Sequence, residues 1–144
     1  MTTGRRSQLK GCRVADKLGD ATLWIDLDRT ESCVIVRIGG ELDADVAGLL
    51  RQTVLAATPV DSLVIDLQDV AFIDSAGLGA VISGLRHVRE AGGRAGIAGP
   101  RGPVRGLLQT TGVDRLVPVA HSPEAVLAMW SEDQESGTDP RSAA

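Results

Sequence analysis

Apolar and polar positions alternate with a period of two across residues 22–28. Leu23, Ile25 and Leu27 take one side, and Thr22, Trp24 and Asp26 the other. That is the pattern of a half-buried strand. A polar turn over 28–32 leads into Cys33-Val34-Ile35-Val36-Arg37-Ile38, so the two runs read as an antiparallel hairpin. Gly39-Gly40 ends the second run, and the period then changes. Val46, Leu49, Leu50, Val54 and Ala57 fall on one face of a helix that Asp43 or Asp45 can cap and Pro59 ends. Leu63-Val64-Ile65-Asp66-Leu67 is a short apolar run of the kind found in strands covered on both faces. After a connection over 68–74, a second helix starts at Ser75, with Leu78, Val81, Ile82, Leu85 and Val88 at helical spacing.

Beyond Gly92-Gly93, Ala95-Gly96-Ile97-Ala98 makes a short strand. Pro103 opens a helix carrying Val104, Leu107 and Leu108, and Gly112 stands where a C-terminal cap belongs. Leu116-Val117-Pro118-Val119 reads as a last strand, which its proline confines to an edge or end. Ser122-Pro123 starts a final helix through Val126, Met129 and Trp130. The order β-β-α-β-α-β-α-β-α predicts an α/β single domain. Its sheet is mostly parallel, with one antiparallel N-terminal strand and helices packed on it. Residues 21–130 form that domain. The expectation for 1–20 is a disordered basic extension, and for 131–144 a disordered acidic tail.

Charge supports those boundaries. The chain of 144 residues carries a net −4. The first twenty residues hold Arg5, Arg6, Lys10, Arg13 and Lys17 against Asp16 and Asp20, and the last fourteen hold Glu132, Asp133, Glu135 and Asp139 against Arg141. Neither end has an apolar stripe, so both read as solvated tails. Trp24, Phe72 and Trp130 are the only aromatics, too few for a base-stacking platform, and direct nucleic-acid binding is not expected. No apolar run approaches a membrane span, so no membrane insertion is expected and a cytoplasmic protein is the default. Cys12 and Cys33 have no metal-ligand spacing and read as free thiols, Cys33 in the core.

Enzyme chemistry finds little support. The only lysines, Lys10 and Lys17, follow no glycine-rich phosphate loop. Gly77-Leu78-Gly79-Ala80-Val81-Ile82 begins like a dinucleotide fingerprint, but Ile82 occupies the third glycine's place. Ser75, Asp114 and His121 follow the order of a hydrolase triad, yet Ile73-Asp74-Ser75-Ala76-Gly77 lacks the first glycine of a nucleophile elbow. His87 and His121 have no neighbouring ligand pair. No catalytic residue, cofactor or metal is expected. Taken alone, Ser75 is a helix N-cap and Asp74 a favourable charge beside it.

Three blocks change that reading of Ser75. Gly40-Glu41-Leu42-Asp43, Val64-Ile65-Asp66-Leu67, and the run from Val70-Ala71-Phe72-Ile73 through Asp74-Ser75-Ala76-Gly77-Leu78-Gly79 resemble the signature blocks of STAS domains. The resemblance is closest to bacterial anti-sigma factor antagonists and covers about 21–130. It implies a partner switch in transcription and stress regulation, with Ser75 the phosphoacceptor. The implied partner is an anti-sigma factor that is itself a serine kinase of the histidine-kinase-like ATPase fold. Unphosphorylated antagonist binds it and releases a sigma factor, phosphorylation abolishes binding, and a serine phosphatase resets the switch. Asp43 and Asp74 match the family's acidic positions. With Ser75, Ala76, Gly77 and Leu78 they are the expected partner-binding surface. Ala76 stands where many members carry a second hydroxyl.

Two other STAS settings compete. One is an adaptor subunit of a lipid-transport ABC system, bound to its ATPase whatever the state of Ser75. The other is a nucleotide-sensing domain, for which Arg101 and Arg105 are the nearest basic residues, although both also fit a solvated helix start.

Overall fold

Alternation along residues 33–38 and 63–67 divides the molecule into layers. A computed structural model describes residues 14–18, 21–29 and 33–135. Its elements are β1 (Val14–Leu18), β2 (Ala21–Arg29), β3 (Cys33–Leu42), α1 (Ala44–Ala57), β4 (Ser62–Ile73) and α2 (Ser75–Glu90). They continue with β5 (Arg94–Ala98), α3 (Gly102–Thr111), α4 (Val113–Leu116), β6 (Val119–Ala120) and α5 (Pro123–Glu135). The six strands form one sheet in sequence order. The β1–β2 and β2–β3 pairs are antiparallel, and every pair from β3 to β6 is parallel.

On β3, Val34, Val36 and Ile38 join Leu63, Ile65 and Leu67 of β4 and Ala95 and Ile97 of β5 in the main core. α1, α2 and α3 close that core with Leu50, Val54, Val81, Leu85, Val104 and Leu108. The alternate residues Cys33, Ile35, Val64 and Ala98 face the other way and pack under Val126 of α5. Each strand therefore spends both of its faces on burial, as expected for the parallel part of an α/β sheet.

Several expectations need correction. A strand occupies 14–18, inside the segment expected to be disordered, so the sheet has two antiparallel N-terminal pairs where one was expected. Asp16 and Lys17 interrupt the apolar pattern there, which suits an edge strand and hides it from a periodicity argument. At the other end α5 runs to Glu135, because Glu132, Gln134 and Glu135 are competent helix formers around the weaker Asp133. Residues 1–13, 19–20 and 136–144 of the two expected tails lie outside the described residues, Cys12 among them.

β4 does not stop at Leu67 but continues to Ile73, paired with β3 through two register shifts. Those irregularities, between Arg37 and Gly39 and between Gly40 and Glu41, break the alternation that a sequence reading relies on. The expected strand at 116–119 is the short helix α4 followed by a two-residue β6. β6 is the sheet's edge, as Pro118 required. Gly112, at φ +83, ends α3 in the left-handed conformation a non-glycine residue resists.

Candidate functional site

β3 and β4 end side by side, and each hands over at once to a helix. Leu42 and Ile73 are register partners at those ends. The next residues, Asp43 and Asp74, are the N-caps of α1 and α2. The Asp43 carboxylate accepts from the Asp45 N–H at 3.1 Å, and Asp74 Oδ1 accepts from the Gly77 N–H at 2.8 Å. The Asp74 N–H donates to the Leu42 carbonyl at 3.2 Å, tying the two strand-to-helix junctions together. Asp43, expected as one of two possible caps, is the one used.

Ser75 is not the cap. It is the first residue of α2, exposed, and among the described residues its hydroxyl makes no hydrogen bond. Asp74 satisfies the first-turn N–H group instead. The correction has a simple cause: a carboxylate is as good a cap as a hydroxyl, and adjacent Asp and Ser leave the sequence ambiguous by one position. The Ser75 oxygen is left facing solvent at the positive end of a sixteen-residue helix.

Of the other expected surface residues, Ala76 is half-buried, whereas Gly77 and Leu78 are buried and serve the fold. A Cβ on Gly77 would collide with the Leu42 carbonyl oxygen, so glycine here lets α2 seat against the end of β3. Two features were missed by sequence reasoning. Phe72, on the last stretch of β4, is 49% exposed and forms a register pair with exposed Glu41. The guanidinium of Arg51 crosses from α1 to within 3.7 Å of where a Cβ of Gly79 would stand. Gly79 lies one turn beyond Ser75 on the same side of α2. The signals were a lone phenylalanine in a polar stretch and a glycine where two helices meet.

Elsewhere the polar chemistry is structural. On the opposite face of the sheet Arg37 bridges two buried carboxylates, Asp28 at 3.4 Å and Asp66 at 3.5 Å. Burial pushes the Asp66 carboxyl above its ordinary value, against the lowering effect of the Gln68 N–H bond and Arg37. Burial likewise raises the Cys33 thiol, a hydrogen bond with Ser62 opposing. Asp114 sits in α4 and His121 beyond β6, and no hydrogen bond links either to Ser75 among the described residues. No cluster of three or more His, Cys, Asp or Glu gathers to hold a metal ion among those residues, and none of their helices is long and apolar enough to cross a membrane.

A family model described as "Mlab, STAS domain" matches residues 25–118. An anti-sigma F factor antagonist of Paenibacillus polymyxa is 26% identical over 100 residues, which cover 67% of this chain and 86% of the relative. An anti-sigma factor antagonist from Mycobacterium paratuberculosis superposes with a TM-score of 0.66 at 27% identity, covering 74% of this chain and 92% of that one. The Bacillus cell fate determinant SpoIIAA, solved in its phosphorylated form, superposes with a TM-score of 0.60 at 25% identity, covering 73% and 98%.

Proposed function

We propose that this chain, which belongs to the STAS-domain family, is an anti-sigma factor antagonist switched by phosphorylation at Ser75. In its unphosphorylated form it binds an anti-sigma factor that is a serine kinase of the histidine-kinase-like ATPase fold, and so frees a sigma factor. The kinase transfers the γ-phosphoryl group of ATP to the Ser75 oxygen. An O–P bond forms there as the bond to the leaving ADP breaks, and the hydroxyl proton passes to a base. A serine phosphatase hydrolyses the ester and restores binding.

The observation that carries this reading is the exposed, uncommitted Ser75 hydroxyl at the start of α2, with capping delegated to Asp74. A phosphate there adds about −1.5 to −2 charges. The helix end accommodates an anion, so the domain stays folded. A surface that already presents Asp43 and Asp74 becomes still more negative, and about 3 kcal/mol of repulsion and lost packing weakens an interface more than a hundredfold. Glu41 and the exposed ring of Phe72 extend the proposed partner surface beside the serine.

Phosphopeptide mass spectrometry on the chain isolated from its source cells tests the modification. The expected result is phosphate on the peptide containing Ser75 and none there in a Ser75→Ala strain. Phosphate confined to other residues under every growth condition would remove Ser75 from the switch.

A further inference from the structure

The far end of the parallel sheet carries a second feature that the switch at Ser75 does not use. α3, which follows β5, packs Val104 and Leu108 on the face shared with α1 and α2. α5, which follows β6, packs Val126 on the opposite face. Neighbouring parallel strands whose following helices part to opposite faces leave a crevice beyond their carboxyl ends, and open α/β sheets bind ligands in such crevices. Here the crevice is a cavity of about 310 Å³, at the small end of the range for small-molecule sites. Gln68, Pro100, Arg101, Arg105, Val119 and His121 line it.

The formally charged residues that line this cavity are both arginines, with Asp66 beneath it and Asp69 and Glu124 close enough to Asp66 to act on it electrostatically. Neither Arg101 nor Arg105 has an ion-pair partner among the described residues, whereas the half-buried Arg37 has two. Among the described residues no carboxylate lines the cavity. Asp66, under Gly99, is committed through Oδ1 to the Gln68 N–H and through Oδ2 to Arg37. Asp114 lines the adjoining cavity that shares Arg105, beyond ion-pair reach of it. Two arginines without ion-pair partners among the described residues line one small space, and planar forks of N–H donors suit the several oxygens of a phosphate group in bidentate fashion. The apolar sides of Pro100 and Val119 leave room for a short carbon skeleton beside it.

We propose that this cavity binds a phosphate-bearing small anion, held by Arg101 and Arg105 with Gln68 and His121 as additional hydrogen-bonding groups. The shared chemistry is the phosphate group, whether as free inorganic phosphate or as a small phosphate monoester. The site draws on β5, β6 and α3, and stands independently of the reading of Ser75.

The test is a titration of the full-length ¹⁵N-labelled chain with inorganic phosphate and, separately, glycerol 3-phosphate, followed by amide shifts. Sodium chloride at matched ionic strength is the control. Saturable shifts at the Gly99, Arg101 and His121 amides are expected, with affinity reduced at least about tenfold in the Arg101→Gln/Arg105→Gln variant. Both arginines are exposed, so unchanged amide dispersion should confirm that the variant folds; His121→Gln, weakening binding by a smaller factor, provides a second reading. Tighter glycerol 3-phosphate assigns a monoester, and equal or tighter inorganic phosphate assigns the free ion. Absent saturation, an equal response to chloride, or unchanged affinity in the double variant would overturn the proposal.

Discussion

At the scale of single residues, Asp74 caps α2 and leaves the adjacent Ser75 exposed, so the capping and the proposed phosphorylation fall on different side chains. Asp74→Ala should remove the bond to the Gly77 N–H and lower stability by about 1 kcal/mol in a denaturant titration. Ser75→Ala should change stability by less than about 0.5 kcal/mol, because its hydroxyl is exposed and makes no hydrogen bond among the described residues. The reverse ranking would make Ser75 the cap and weaken the case for it as a switch. Asp66 supports a prediction of a different kind. Its folded-state carboxyl titrates above the ordinary 3.8, so between these two values the folded chain holds a proton the unfolded chain has lost. The contribution of Asp66 to stability therefore falls as pH rises through that window and is constant above it. Urea unfolding of wild type and Asp66→Asn should show the wild type losing ground to the variant over this range. A flat or rising difference would contradict the burial argument.

At the scale of elements, α2 is placed by two glycines as much as by its apolar face. Gly77 seats its first turn on the Leu42 carbonyl, and Gly84 lies against Val54 of α1. A backbone oxygen cannot move aside as a side chain can, so Gly77→Ala should destabilise by about 1–3 kcal/mol and displace the start of α2. Partner binding should suffer with it, whereas Gly48→Ala, inside α1 on its exposed side with open space around it, should leave binding unchanged and raise stability by about 0.5–1 kcal/mol. Equal tolerance of the two substitutions, read from melting temperatures, would mean that α2 is not held by that contact. The apolar periodicity of α1, α2 and α3 made these helices legible in the sequence. The last third of β4 was not, since its bulged pairing with β3 exposes residues in an irregular order. β1 and β6 were obscured for another reason: edge strands carry polar residues or proline and owe their existence to a neighbour.

For the whole molecule, the parallel sheet sets out two separate regions along its carboxyl edge. The ends of β3 and β4 carry Asp43, Asp74 and Ser75, and the crevice between β5 and β6 carries Arg101 and Arg105. The first was legible because its residues lie in contiguous blocks. Of the second, Arg101 and Arg105 stood out as neighbouring basic residues, but the closeness of Gln68 and His121 to them depends on which face each helix takes after its strand. The central claim is that one modification at the first region decides whether a partner is held. The most direct measurement is a paired pull-down from source-cell lysate with wild-type and Ser75→Asp baits, read by mass spectrometry. The wild type should capture a serine kinase of the histidine-kinase-like ATPase fold and the Ser75→Asp bait should not. Capture of the same transporter ATPase by both baits would contradict it and make this chain an adaptor subunit of a lipid-transport ABC system.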